Sequence, residues 1–88
     1  MSSGKGMYKN RNGSRNNISG LAIKAQRLSV QPSMSQRALA DRLQLVGLDL
    51  DKNAIQRIES GSRFVTDIEL LAFAKLFDVP VSELLEEA

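Results

Sequence analysis

The chain has 88 residues, 42% of them hydrophobic and none of them cysteine or histidine. A chain of this length supports one small domain that buries roughly 60–65% of its unfolded surface, and its composition excludes disulfides, thiolate metal sites and histidine chemistry. The net charge of +2 conceals a division: Lys5, Lys9, Arg11, Arg15, Lys24, Arg27 and Arg37 face no acid within residues 1–40, while residues 41–88 hold all ten acids.

That polarity is a soft footprint of nucleic-acid binding, and a solvated basic tail would produce it equally well. No apolar run approaches the ~18–20 residues of a membrane span, and the start lacks the apolar stretch of a secretion signal. A cytoplasmic location with no membrane partner is therefore expected.

Residues 1–17 read as a flexible basic arm, rich in Gly, Ser and Asn and with little apolar bulk to offset ordering entropy. A first helix is expected to begin near Asn17 or Ser19, with Ile18, Leu21, Ala22, Ala25 and Leu28 on an apolar stripe extended by Ile23. It should stop before Val30-Gln31-Pro32, because the residue before a proline disfavours the helical region.

Ser33 or Ser35 can cap a second helix whose inner face is Ala38, Leu39, Leu43 and Val46, with Gly47 as its stop. Leu48 and Leu50 fall in a connection. Asp51 is a suitable N-cap for a third helix, Ile55 and Ile58 point inward, and Gly61 ends it. Asp67 is expected to cap a fourth helix with Leu70, Phe73, Ala74 and Phe77 on one face. Asp78-Val79-Pro80 breaks that helix, and Ser82 opens a short fifth with Leu84 and Leu85. With no sustained strand alternation, the fold class is all-α: five helices joined by short loops over residues 18–88.

The segment Ser35-Gln36-Arg37-Ala38-Leu39-Ala40, followed by Ala54-Ile55-Gln56-Arg57-Ile58-Glu59-Ser60-Gly61, resembles the Cro and phage-repressor (Xre) type of helix-turn-helix, a lambda-repressor-like fold. The matching pattern is Gln-x-x-Leu-Ala in the second helix and Ile-x-x-Ile-Glu-x-Gly at the end of the third. Similarity continues through Phe73-Ala74-Lys75 and Val79-x-Val81-x-x-Leu84-Leu85, so it spans roughly residues 18–86. The physics agrees piece by piece. Small Ala40 lets the third helix cross the second closely, which holds the third helix where it can enter a major groove. One departure is the connection over residues 44–50, about five residues longer than the family's turn, with Leu45, Leu48 and Leu50 expected to pack it.

The resemblance implies roles residue by residue. Lys52, Asn53 and Arg57 match base-contacting positions and Gln56 lies beside them; Asn and Gln suit adenine, Arg and Lys suit guanine. Gln36, at the start of the second helix, and Ser60, Ser62 and Arg63, after the third, match phosphate contacts, and Arg37 and Lys24 are weaker candidates. Arg27 and Glu59 match an ion pair between the first and third helices. Lys9, Arg11 and Arg15 of the arm could add non-specific attraction or reach a minor groove.

Competing chemistries fail on the residues. Asp49-x-Asp51-x-Asn53 imitates the start of a calcium loop, but Ala54 and Ser60 stand where glycine and glutamate are needed. Gly4-x-Gly6 lacks the third glycine and the preceding strand of a nucleotide fingerprint. No metal, cofactor or enzymatic activity is expected. The expected function is sequence-specific double-stranded DNA binding by a transcriptional regulator, and the resemblance implies repression. A homodimer through the last two helices (Leu71, Phe77, Val81) is a further expectation. An antitoxin or other protein-interaction module on the same fold is the alternative.

Overall fold

Most of the helices start where a side chain takes over an orphan amide. The computed structural model describes residues 13–86 and contains helices α1 (Gly20–Ser29), α2 (Gln36–Leu45), α3 (Lys52–Ser60), α4 (Asp67–Phe77) and α5 (Val81–Leu84). Ser35 accepts from the Ala38 amide at 3.0 Å and Asp51 from the Ala54 amide at 2.8 Å, each satisfying a donor with no helical partner.

The stops are equally chemical. Gly61 takes φ +89°, with the Ser62 amide on the Arg57 carbonyl at 2.9 Å and the Gly61 amide on that of Ile58 at 3.1 Å. This is the paired closure that a left-handed residue permits and that glycine adopts at least cost. Gly47 closes α2 in the same way, through Leu48 onto Leu43 and Gly47 onto Gln44.

The core consists chiefly of Ile23, Leu39, Leu43, Ile55, Ile58, Phe73 and Leu84, all fully buried. α1 and α2 both pack against α3. Gly20 is where α1 meets α3: a Cβ there would run into the Ile58 carbonyl, so only glycine allows this approach. Phe73 and Phe77 stack with ring centroids 6.4 Å apart.

Several expectations are corrected. On α1 the buried positions are Gly20, Ile23 and Arg27, a true three-then-four spacing, whereas Leu21 and Leu28 are half exposed and Ala25 is exposed. Ile18 precedes the helix. Val46 lies past the end of α2 and is exposed, so it leaves the inner face. Leu45 is 84% exposed and packs nothing in the α2–α3 connection; Leu50 is the residue buried there, with Leu48 partly so.

The cap of α4 is Thr66 rather than Asp67. Thr66 Oγ1 accepts from the Glu69 amide and Glu69 Oε1 accepts from the Thr66 amide, a reciprocal capping box. The fifth helix opens at Val81 behind Pro80, not at Ser82. Phe77 sits in the core and offers no surface for self-association. Lys5, Lys9 and Arg11 lie outside the described residues, while the last part of the arm, from Gly13 to Asn17, lies within them.

Candidate nucleic-acid interface

α3 has two faces of opposite character. Ala54, Ile55, Ile58 and Glu59 are buried; Lys52, Asn53, Gln56, Arg57 and Ser60 are exposed. This follows from a helical period in which the residues three and four apart share a side. Among the described residues no side-chain hydrogen bond engages Lys52, Asn53, Gln56 or Arg57, so four amide or cationic groups face outward together. An open cleft of about 290 Å³ between α2 and the start of α3 is lined by Arg37, Asp41, Gln44, Asp51, Lys52 and Asn53, among others. It brings exposed Arg37 to the same rim as Lys52 and Asn53. Lys24 is exposed on α1.

The buried face is held by an ion pair. Arg27 Nε donates to Glu59 Oε2 at 2.7 Å and Nη2 to Glu59 Oε1 at 2.9 Å, a bidentate fork. Arg27 Nη1 also donates to the Met34 carbonyl at 2.8 Å. Gln36 Nε2 donates to Glu59 Oε1 at 3.1 Å. Its side-chain amide is therefore directed at Glu59, while its backbone stands at the first position of α2. α1, α2 and α3 thus share one carboxylate.

The segment after α3 is ordered by its own polar groups. Ser60 Oγ donates to the Arg57 carbonyl at 3.1 Å and lies 3.3 Å from Ser62 Oγ. Arg63 Nη1 and Nη2 fork onto Glu69 at 2.9 and 3.0 Å, and Nη1 also reaches the Phe64 carbonyl at 2.9 Å. The hydrogen bond from Arg63, aided by the Thr66 amide and the positive charge, holds the Glu69 carboxyl below the usual 4.5 despite partial burial. The same hydrogen bond pushes Arg63 up. Of the residues expected at phosphates, Ser60, Ser62 and Arg63 are thus gathered around the α3 C-terminus, and Gln36 and Arg37 stand at the start of α2.

Sequence reasoning gave Arg15 to the arm, for non-specific attraction or a minor groove, and missed that Arg15, Asn16 and Asn17 bind the same end of α3. No local signal marks them, because their partners are carbonyls more than forty residues away. It also missed the Thr66–Glu69 box, although Thr-x-x-Glu is visible in the chain.

Among the described residues no helix is long and apolar enough to cross a membrane, and no cluster of acids suits a metal ion. Neither a characterised protein nor a solved structure matches the chain. A family model described as helix-turn-helix matches residues 23–84, which covers all of α2 to α5 and most of α1. The chain therefore belongs to the Cro/C1-type (Xre) helix-turn-helix family, a family of non-enzymatic DNA-binding domains.

Proposed function

We propose that the protein is a transcriptional regulator, acting as a repressor, that inserts α3 into the major groove of double-stranded DNA. The observation that carries this reading is the outward face of α3: Lys52, Asn53, Gln56 and Arg57 are exposed and, among the described residues, unspent, on a helix whose opposite face is anchored by Ile55, Ile58 and Glu59. Those four side chains offer donors and acceptors that suit base edges. Phosphates are held on either side. The amides at the start of α2, near Gln36 and Arg37, take one group, and Ser60, Ser62 and Arg63 take another. Arg63 does so as part of a neutral pair with Glu69, so its contribution is more positional than electrostatic.

A second copy of the chain completes the reading. Ile68 and Leu71 of α4 are 73% and 48% exposed, and they line one shallow groove with Val46 and Leu48. Apolar surface of this kind suits self-association, and a two-fold dimer would read a palindromic site.

Selection of bound sequences from a random DNA pool tests the whole reading. One enriched motif, with symmetric halves if the dimer binds, is expected; no enrichment would remove sequence-specific binding. On the selected site Arg57→Ala should cost about 1–3 kcal/mol at one base pair and relax preference there. Equal loss on every duplex would remove Arg57 from the base readers.

A further inference from the structure

Three consecutive residues ahead of α1 are spent on a single target. Arg15 Nη2 donates to the Glu59 carbonyl at 2.7 Å and to that of Ile58 at 3.3 Å. Asn16 gives its backbone amide to the Gly61 carbonyl at 2.7 Å and its side-chain amide to that of Ser62 at 3.1 Å. Asn17 Nδ2 donates to the carbonyls of Ile58 at 2.9 Å and Arg63 at 2.7 Å, while its Oδ1 accepts from the Gly20 amide at 2.8 Å. The acceptors are the last carbonyls of α3, which lack a partner one turn on, and the first ones beyond it; the Ile58 carbonyl also takes the Gly61 amide.

The packing agrees with the hydrogen bonds. The Arg15 side chain lies over Gly61, where an added Cβ would stand 2.8 Å from Cζ and 2.9 Å from Cγ. Among the described residues Arg15 Nε is buried without a hydrogen-bond partner. This guanidinium is turned into the protein, against the negative end of the helix dipole, and not toward a ligand. A basic residue recruited for phosphate would be placed the other way, with its nitrogens in solvent.

The two ends of α3 are therefore held unequally. Its first turn rests on the Asp51 cap after a six-residue connection from α2. Its last turn is held by its own closure and by three residues of the arm. Lys52, Asn53, Gln56 and Arg57 lie before Gly61 and Ser62 and Arg63 lie after it, so the relation between the two groups is fixed at this point.

We propose that Arg15, with Asn16 and Asn17, is a positioning clasp for α3: it locks the helix to the segment that follows, and sequence discrimination depends on it more than general attraction to DNA does. This rests on the reading of α3 as the base-reading helix. Phosphate contacts set register and base contacts set sequence, so slack between them lowers affinity for the correct site while leaving non-specific binding in place.

The test compares the full chain with Arg15→Gln and Asn16→Ala on the selected duplex and on a scrambled duplex of equal length, over a salt series well below the melting temperature. Hydrogen exchange of the Gly61, Ser62 and Arg63 amides is followed in the free proteins. Arg15→Gln is expected to lose about tenfold on the selected duplex, the order one charge-assisted hydrogen bond carries. It should lose little on the scrambled one, keep both salt slopes, and exchange faster at the three amides. Asn16→Ala, which removes one exposed bond and leaves the fold intact, should move the same way by about twofold to threefold.

A salt slope reduced by about one unit on both duplexes would make Arg15 a phosphate contact and overturn the clasp. An unchanged ratio of the two affinities would reduce it to a strut for stability. Wild-type protein that binds both duplexes alike would remove the DNA reading and the discriminating role with it. Unchanged exchange at the three amides would remove the clasp alone.

Discussion

Two arginine–glutamate forks organise this domain, and they work in different surroundings. Arg27–Glu59 joins α1 to α3 with side chains 9% and 5% exposed, whereas Arg63–Glu69 joins the segment after α3 to α4 with Arg63 at 30% and Glu69 at 11%. The geometry is nearly the same: each arginine offers two nitrogens to one carboxylate at 2.7–3.0 Å. What differs is the alternative open to each partner. If Arg63 is lost, Glu69 still has the Thr66 amide, and its pair lies where water can screen it. If Glu59 is lost, Arg27 and Gln36 lose their shared carboxylate in the interior. Loss of the inner carboxylate leaves Arg27 with one backbone acceptor in the interior, whereas loss of the outer arginine leaves Glu69 its backbone donor.

Breaking the inner fork should have the largest effect. Glu59→Ala should destabilise the domain by about 3–5 kcal/mol in urea unfolding, because a buried cation is left with the Met34 carbonyl alone. A cost below about 1 kcal/mol would erase the distinction between the two forks. Next comes Thr66→Ala, which removes one arm of the capping box and should cost about 1 kcal/mol. Arg63→Ala should cost about 0.2–1 kcal/mol, a figure kept low by exposure and screening, and added salt should shrink the difference from wild type.

The pH dependence sharpens the same contrast. Glu69 titrates below its ordinary value in the folded protein. The stabilisation it supplies is complete above pH 4.5 and disappears as pH falls through the folded value. Glu69→Gln should therefore flatten the acid limb of a stability–pH profile below pH 4.5, measured by urea midpoints. An unaltered limb would show that Glu69 gains nothing from Arg63.

The fold was legible where the chain states its own boundaries. Ser35, Asp51 and Gly61 are short-range signals whose partners lie within a turn, and each does what its chemistry predicts. The helix-turn-helix pattern itself was equally plain, because Leu39, Ala40, Ile55 and Ile58 occupy one crossing. Leu21, Leu28 and Leu45 misled for a physical reason. A small domain has more apolar residues than interior positions, and periodicity alone does not say which are left outside.

Phe77 carried two expectations, one face shared with Phe73 and Ala74 and a dimer contact; the first holds, because it stacks on Phe73 inside. The candidate interface was readable on α3, where facing follows from helical geometry. It was unreadable at Arg15 to Asn17, because a Gly, Ser and Asn-rich stretch carries no local sign that distant carbonyls will order it.

One atom collects much of this architecture. The Ile58 carbonyl accepts from the Gly61 amide, from Arg15 and from Asn17, and its approach to α1 leaves no room for a side chain at position 20. A carbonyl oxygen has two lone pairs for these three donors, so its bond polarisation depends on which of them is present. A ¹³C label at the Ile58 carbonyl would make that oxygen a spectroscopic reporter. Its stretching frequency and chemical shift would register, from inside the protein, whether the N-terminal residues are docked while α3 is free or engaged.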